Sequence, residues 1–174
     1  IVPSFTFIST VNSTLFVNGI PKFVDIEEET FGIDPDKIEN SINSKTKAIV
    51  PVHYGGNPCK ILELSEIAKK NDLLLIEDAA ESLGASVNNK KVGTIGDSSI
   101  FSFCGNKVLT TGEGGAIVTD SKEIYEKIKL IRSHGRMDKI NYFNNPEQSE
   151  YIDIGYNWRM SSITAALGVS QMSK

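Results

Sequence analysis

The sequence predicts an α/β domain with a central, mostly parallel β-sheet covered by helices. Segments typical of strands alternate along the chain with segments whose apolar residues recur at helical spacing. Residues 48–52 (AIVPV) and 73–76 (LLLI) are continuously apolar, as expected of strands that are buried on both faces of a sheet. A chain of 174 residues is also long enough to form one domain with a sizeable core.

The first part of the chain supplies three predicted strands and a helix. A short strand is predicted at residues 1–4, and a second one at residues 22–26 (KFVDI), after a Gly-Ile-Pro turn. A helix begins at Pro35, because Asp34 can cap it and proline suits the first helical position. The β-branched run at residues 47–52 is typical of a third strand.

The middle of the chain continues the alternation. Residues 57–71 contain apolar side chains at positions 61, 62, 64, 67 and 68, which is helical spacing. The apolar run at residues 73–78 (LLLIED) predicts a strand that ends in two acids. Residues 88–97 (NNKKVGTIGD) indicate a hairpin followed by a turn.

The last part of the chain adds two strands and two helices. The strands are predicted at residues 98–103 and 116–119, and Ser121 is a plausible cap for the amphipathic helix SKEIYEKIKLIRSH. Residues 136–152 lack periodicity and are predicted to form a loop. The chain closes at residues 161–174 in what is predicted to be an apolar helix, and it opens without an initiator methionine, so we expect a fragment.

Composition and charge exclude several classes of function. The formal net charge is -4, which favours neither nucleic acid nor an anionic membrane as a partner. No apolar run is long enough to span a bilayer, and no signal-peptide pattern is present in the sequence. Cys59 and Cys104 are not spaced as a metal site, so we expect no metal and a reduced, cytoplasmic chain.

Several chemically capable side chains follow predicted strands. Ligands bind at the carboxyl ends of the strands in sheets of this kind. Glu77 and Asp78 end one strand, His53 follows another, and Lys107 lies after a third in the glycine-rich segment SFCGNKVLTTGEGG. A lysine amine can bond to an aldehyde cofactor, and a carboxylate can keep a pyridine nitrogen protonated. These two groups therefore suit pyridoxal phosphate.

Each of these residues also has a structural interpretation, which the residue pattern leaves open. Lys107 could be a solvated loop lysine and Asp78 a capping or turn carboxylate. Ser102 could be a strand serine bonded to the neighbouring backbone, and His53 a structural histidine. Phe7 would ordinarily belong to the core.

Other motifs are absent or weak. TTGEGG is not followed by the GK[ST] of a phosphate-binding loop, and no GxGxxG follows the first strand, so a nucleotide-binding domain of either type is disfavoured. Cys104 has no evident base partner in the sequence and is interpreted as a small buried hydrophobe.

Taken together, these segments resemble the DegT-type (DegT/DnrJ/StrS) family of sugar-nucleotide aminotransferases. The resemblance covers nearly the whole chain, and its most specific part is IEDAAESLGA followed by SFCGNKVLTTGEGG. Further matching segments are VPSFTFIST, FVDIEEETFGIDPDKIE, TKAIVPVHYGGNPC, IRSHGR and GYNWRMSSITAALG. The resemblance implies an aspartate-aminotransferase-like fold (fold type I). It makes residues 1–174 a fragment of the large cofactor-binding domain, without its N-terminal start and the smaller C-terminal domain.

The resemblance also implies a role for individual residues toward pyridoxal 5'-phosphate. Lys107 looks like the lysine that bonds to the cofactor and moves the proton, and Asp78 matches the acid that pairs with the pyridine nitrogen. Three further matches are Glu81 near the phenolic oxygen, Ser102 at the phosphate and Phe7 stacked on the ring. Separately, Asn157 matches an asparagine that reaches the cofactor phosphate of a neighbouring subunit. Cys104 departs from the family, which has an aromatic residue or histidine there.

The implied activity is transfer of an amino group from an amino acid, glutamate in the family, to a nucleotide-linked keto-sugar. The implied assembly is a homodimer with shared active sites, and the implied pathway is amino-sugar and surface polysaccharide biosynthesis. Two alternatives remain at this point: a regulatory or catalytically idle relative that binds sugar nucleotides, and a same-fold sugar dehydratase. Those dehydratases carry histidine in place of the lysine, and this chain has Lys107.

Overall fold

The computed structural model describes residues 1–137 and 150–174. In chain order, the described strands are β1 (Val2–Pro3), β2 (Phe23–Val24), β3 (Ala48–Ile49), β4 (Leu74–Asp78), β5 (Ser86–Val87), β6 (Lys90–Lys91), β7 (Ser98–Ser102), β8 (Gly115–Val118), β9 (Arg136–Met137) and β10 (Glu150–Tyr151). The described α-helices are α1 (Ile8–Phe16), α2 (Pro35–Ile38), α3 (Ile61–Lys70), α4 (Lys122–Ile131) and α5 (Ser162–Met172).

Four strands form the central sheet in the order β3-β4-β7-β8. β3 and β4 are parallel, β4 and β7 are parallel, and β7 and β8 are antiparallel. The predicted α/β class with a mostly parallel sheet is therefore confirmed, with one reversed strand at the edge. The reversal follows from the connection: residues 103–114 contain no crossover helix, and a parallel neighbour needs one.

The hydrophobic core lies between α3 and the β3–β4 side of the sheet. Ile61, Leu64 and Ala68 on α3 are buried at spacings of three and four residues, so they share one helix face. They pack in one cluster with Ile49 and Leu75 from the sheet. Each of the leucine and isoleucine side chains stabilises the fold by about 1.5–3 kcal/mol when fully buried.

Several local predictions are confirmed. Asp34 caps α2 by accepting a hydrogen bond from the backbone N–H of Asp36, and Pro35 stands at the start of that helix. The predicted hairpin is confirmed but begins before residue 88: Ser86–Val87 pairs with Lys90–Lys91, with Asn88 and Asn89 in the turn at φ 48° and 63°. Two successive residues with positive φ match the tight turn that suits the right-handed twist of a two-stranded hairpin.

Two regions differ from the prediction. Helix α1 was not predicted, since its sequence ISTVNSTLF is rich in residues of lower helix propensity, and Phe7 at its N-cap makes no side-chain capping bond. The loop predicted for residues 136–152 is wrong at both ends, where β9 and β10 pair antiparallel. The backbone hydrogen bonds of this ladder need no alternation of apolar residues, which explains the missing signal. The rest of that loop, residues 138–149, lies outside the described residues.

The predicted C-terminal helix is confirmed as α5. Ser161 caps it by accepting a hydrogen bond from the backbone N–H of Thr164, and several apolar side chains on it, including Ile163 and Val169, are exposed. Within the two described ranges, no helix combines the length and the apolar character needed to cross a membrane.

Candidate active site

Asp78 lies at the carboxyl end of β4, an inner strand of the sheet that pairs with β3 and β7. Asp78 is buried, with only 8% of the residue exposed. Oδ1 accepts a hydrogen bond of 3.2 Å from the backbone N–H of Ala80, and Oδ2 accepts one of 2.7 Å from the hydroxyl of Thr10. The turn interpretation of Asp78 accounts for the first bond. The second bond comes from α1, so this carboxylate is also tied to a distant element.

Lys107 lies in the connection between β7 and β8, and its side chain is 17% exposed. It is therefore not a freely solvated loop lysine. Its Nζ atom lies 3.3 Å from Oε1 of Glu81, and Oε2 of Glu81 accepts a hydrogen bond of 2.8 Å from the backbone N–H of Gly55. The bond from Gly55 lowers the pKa of Glu81, burial works against this, and the contact with Lys107 lowers that pKa further.

The connection that carries Lys107 is closed by backbone hydrogen bonds. The N–H of Phe103 donates to the carbonyl of Gly114 at 2.8 Å, and the N–H of Thr111 donates to the carbonyl of Phe103 at 2.9 Å. The N–H of Lys107 itself donates to the carbonyl of Cys104 at 3.1 Å. Because the loop is fixed at its base by the β7–β8 ladder, the amine is attached to the sheet rather than to a free loop.

Ser102 and Phe7 occupy different settings. Ser102 ends β7, and its hydroxyl accepts a hydrogen bond of 3.3 Å from the N–H of Cys104, as its structural interpretation describes. Phe7 is 75% exposed at the N-cap of α1, so its interpretation as a core residue is wrong. The N–H of Thr10 donates to the carbonyl of Phe7 at 3.2 Å. The ring of Phe7 thus belongs to the helical turn that contacts Asp78.

Glu77 points away from Asp78, since successive side chains alternate across a strand. It is fully buried with His53, whose Nε2 lies 3.1 Å from its Oε2. The backbone N–H groups of residues 93, 95 and 96 also donate to this carboxylate, at 2.8, 2.7 and 2.6 Å. Burial raises the pKa of Glu77, but the bonds from His53 and the three backbone groups lower it more.

His53 is a structural residue, in agreement with its structural interpretation. Its Nδ1 accepts a hydrogen bond of 3.2 Å from the N–H of Cys59, so the ring proton lies on Nε2 and is donated to Glu77. Both ring nitrogens are used inside the protein, which leaves neither for chemistry at the carboxyl edge of the sheet.

The sequence also singles out Cys104 and Asn157. The interpretation of Cys104 as a buried hydrophobe is wrong, because it is half-buried and its Sγ lies 3.8 Å from Oε1 of Glu113. The thiol finds a polar partner within its own loop. Asn157 is exposed, and its backbone bridges Ser133 in an antiparallel manner. Its role toward a neighbouring subunit stays a prediction.

Sequence reasoning missed two contributors to this arrangement, Thr10 and Gly55. Thr10 sits in a segment for which no element was predicted, and nothing in a lone hydroxyl marks it as a partner of Asp78. Gly55 has a φ of 60°, and its N–H fixes Glu81. A glycine in the HYGG segment is a turn signal, but the turn does not reveal which carboxylate it meets.

The residues present fit an aldehyde cofactor with a basic ring nitrogen. Lys107 offers a largely covered amine, and Asp78 is a buried carboxylate whose two partners are both hydrogen-bond donors. Phe7 offers an exposed aromatic face one helical turn from the residue that contacts Asp78. An amine, an acid and an aromatic ring are the groups needed to bond, polarise and stack on such a cofactor.

Comparison with known proteins agrees with this chemistry. The chain is 46% identical over 177 residues to the uncharacterized protein MJ1066 of Methanocaldococcus jannaschii, covering 100% of this chain and 46% of that protein. It is 41% identical over 174 residues to the GDP-perosamine synthase of Caulobacter vibrioides, covering 100% of this chain and 45% of that enzyme. The chain thus spans about half the length of the curated relatives it matches.

The fold has a close counterpart among solved structures. Helicobacter pylori PseC, an aminotransferase involved in the biosynthesis of pseudoaminic acid, superposes with a TM-score of 0.91 at 37% identity. The superposition covers 99% of this chain and 45% of PseC. The family profile described as DegT/DnrJ/EryC1/StrS aminotransferase matches residues 1–174. The chain therefore belongs to the DegT/DnrJ/EryC1/StrS aminotransferase family.

Proposed function

We propose that the protein to which this chain belongs transfers an amino group from an amino acid, glutamate, to a nucleotide-linked keto-sugar, with pyridoxal 5'-phosphate as cofactor. The observation that carries this proposal is the setting of Lys107, a largely covered amine attached to the central sheet and paired with Glu81. A same-fold dehydratase would carry histidine at this position, and an idle relative would not need the amine. Residues 1–174 then form part of the large cofactor-binding domain.

The cofactor, when bound, supplies an electron-withdrawing ring that stabilises negative charge on the carbon from which a proton is removed. Lys107 would bond to its aldehyde carbon, and Asp78 would keep the ring nitrogen protonated. Ser102 would contact the phosphate, Phe7 would cover one face of the ring, and Glu81 would lie near the phenolic oxygen. These assignments follow the family resemblance and are supported by the positions of Asp78 and Lys107 at one edge of the sheet.

Proton transfer is the step that this chain's own residues perform. Once free, the Lys107 Nζ would accept the proton from the α-carbon of the donor amino acid, and it would return that proton to the cofactor side in the same site. A general base has to be uncharged when it accepts a proton, so the amine of Lys107 has to be neutral when it is released from the cofactor. Losing the amine should abolish the reaction rather than weaken binding.

The sugar substrate is supported by the names of similar proteins, and the assembly follows the family resemblance. The similar proteins include enzymes named GDP-perosamine synthase and an aminotransferase of pseudoaminic acid biosynthesis. We therefore propose an amino-sugar product destined for surface polysaccharide. We also propose a homodimer in which Asn157 of one subunit contacts the cofactor phosphate held by the other.

The test uses the full-length protein. It is incubated with pyridoxal phosphate, reduced with borohydride and digested, and any pyridoxyl adduct is located by mass spectrometry. The expected result is an adduct on Lys107 that disappears in Lys107→Arg and persists in Lys90→Arg, a matched change on the exposed hairpin strand β6. A folded protein with excess cofactor and no adduct on Lys107 contradicts the proposal.

A second assay separates donor from acceptor. In the first half-reaction, addition of glutamate should lower the absorbance of the aldehyde form of the cofactor. In the second, mass spectrometry should detect the aminated product of an added keto-sugar nucleotide. Amino transfer from glutamate without transfer to any nucleotide-linked keto-sugar would refute the substrate class while leaving the cofactor chemistry in place.

A further inference from the structure

Thr10 makes a long-range contact with the acid of the site. Its residue is only 4% exposed, and its hydroxyl donates to Oδ2 of Asp78 at 2.7 Å, across 68 positions of sequence. The hydroxyl of Thr6 lies 2.9 Å from the hydroxyl of Thr10. Since Thr10 has one hydroxyl proton and gives it to Asp78, Thr6 is the donor of that second bond. Thr6, Thr10 and Asp78 therefore form a chain of hydrogen bonds in which Thr6 donates to Thr10, Thr10 donates to Asp78, and the carboxylate is the final acceptor.

The two partners of Asp78 constrain it differently. The N–H of Ala80 belongs to the same turn as Asp78 and moves with it, whereas Thr10 belongs to α1. The last torsion of an aspartate side chain is broad, so a carboxylate held by its own turn alone retains freedom to rotate. The bond from Thr10 fixes that rotation relative to α1.

The same helical turn carries the exposed ring of Phe7. Phe7 is the N-cap of α1, and its carbonyl accepts a hydrogen bond of 3.2 Å from the backbone N–H of Thr10. The first turn of α1 therefore sets the aromatic ring and the acid with respect to each other. If a cofactor ring stacks on Phe7, its nitrogen can contact Asp78 only when the carboxylate has one particular orientation.

We propose that Thr10 is a positioning residue whose hydroxyl orients the carboxylate of Asp78 toward the ring nitrogen of the cofactor, with Thr6 supporting Thr10. This inference rests on the proposed function. Thr10 itself does not touch the cofactor in this proposal; it acts through Asp78. Valine at position 10 would keep the shape of the side chain and leave Oδ2 of Asp78 without its buried donor.

The experiment compares two cofactors on the full-length protein. One is pyridoxal phosphate, and the other is its analogue with carbon in place of the ring nitrogen, which keeps the aldehyde and the phosphate. Dissociation constants are measured for wild type, Thr10→Val, Thr10→Ser and Thr14→Val. Thr14→Val is the same replacement one turn later in α1 and serves as the matched control.

A role through the ring nitrogen gives a distinctive pattern. Thr10→Val should weaken binding of pyridoxal phosphate about tenfold, as for loss of one hydrogen bond to a charged group, and should change binding of the carbon analogue by less than about twofold. Thr10→Ser keeps a hydroxyl and should restore most of the affinity. Thr14→Val should bind both compounds like wild type.

Other outcomes overturn the inference. Equal weakening for both compounds means that Thr10 only packs α1, and no weakening for either means that Asp78 is held without it. If Thr10→Val does not fold, Thr6→Val replaces it, with an expected two- to threefold loss confined to pyridoxal phosphate; an equal or absent loss there also overturns the inference. A wild-type protein that binds neither compound refutes the proposed function, and this inference with it.

Discussion

Nζ of Lys107 lies 3.3 Å from Oε1 of Glu81, whose other carboxylate oxygen is held by the backbone N–H of Gly55 at 2.8 Å. The acid is thus fixed independently of the lysine, and the lysine side chain is confined by the acid. An ion-paired ammonium has to leave its partner and lose a proton before it can attack an aldehyde. Glu81 therefore restrains the amine that the proposed chemistry uses.

Replacing Glu81 by glutamine should make Lys107 more reactive in the cofactor-free protein. Glu81 is 39% exposed in its side chain, so the ion pair is partly screened by water and the effect is modest. We expect acetic anhydride at pH 7 to label Lys107 about two- to fivefold faster in Glu81→Gln than in wild type. Isotope-coded mass spectrometry of the Lys107 peptide measures the rate. Glu126→Gln, which removes a charge paired with Lys129 on α4, is the control. An unchanged or slower labelling rate would contradict the prediction.

Replacing Asp78 by asparagine should leave some cofactor bound but remove most turnover. Asparagine has a single acceptor oxygen, so it can keep the hydrogen bond from Thr10 or the one from the N–H of Ala80, but not both, and cofactor content is therefore measured as well. Without the negative charge, the ring nitrogen is no longer held in its protonated form, and we expect turnover to fall at least about 100-fold. Steady-state transfer from glutamate, measured alongside cofactor content, checks this. Wild-type turnover in Asp78→Asn would show that Asp78 does not face the ring nitrogen.

Glu77 should make folding sensitive to acid. The pKa of Glu77 is lowered in the folded protein, so its contribution to stability is present above the unfolded value, 4.5, and is lost as the pH falls through the lower folded value. Glu77→Gln removes the charge that accepts bonds from His53 and three backbone groups. We expect a loss of about 2–4 kcal/mol at pH 7 and a weaker decline in stability below pH 4.5 than in wild type.

Hydrogen exchange of one peptide tests this role of Glu77. Hydrogen exchange of the peptide covering residues 92–97 should be faster in Glu77→Gln at pH 7, because Glu77 binds the N–H groups of residues 93, 95 and 96. Glu66→Gln, an exposed acid on α3, is the control. Equal protection in Glu77→Gln and wild type would show that this loop is held without the carboxylate.

Gly135 should tolerate no side chain. Its φ is 70°, and an added Cβ would overlap the backbone carbonyl of Asp153. Gly135→Ala should therefore cost about 2–4 kcal/mol through left-handed strain and overpacking. Denaturant unfolding of the full-length protein gives the loss. Gly105→Ala, where the nearest atom to an added Cβ is 4.0 Å away, should change stability little. Equal stability of the two variants would refute the close approach.

Elements with strong local signals could be predicted from the sequence. Asp34 and Pro35 mark the start of α2, and the apolar run before Asp78 marks β4. Helix α1 could not be predicted, because its β-branched residues have weak helix propensity and its N-cap has no side-chain bond. Tertiary packing, rather than local preference, makes that segment helical.

In the candidate site, too, some residues could be predicted from the sequence and others could not. Asp78 and Lys107 could be singled out, because Asp78 ends one strand and Lys107 follows another, and the carboxyl ends of these two parallel strands share an edge. The partners of these two residues could not be, since Thr10 lies 68 positions from Asp78 and Glu81 lies 26 positions from Lys107. Such contacts depend on how α1 and the loops dock on the sheet. The cofactor roles of these residues stay predictions.

The short connection between β7 and β8 has a consequence for the order of folding. Residues 103–114 join neighbouring antiparallel strands, and hydrogen bonds at their base close the loop over a short stretch of chain. Contacts of small sequence separation cost less loop-closure entropy and form sooner than distant ones. The segment that bears the amine can therefore become ordered early. The carboxylate of Asp78 becomes fixed only after β4 has paired with β7 and α1 has docked. Because these contacts join distant parts of the chain, stable binding of the cofactor would indicate that the late, long-range contacts of the domain have formed.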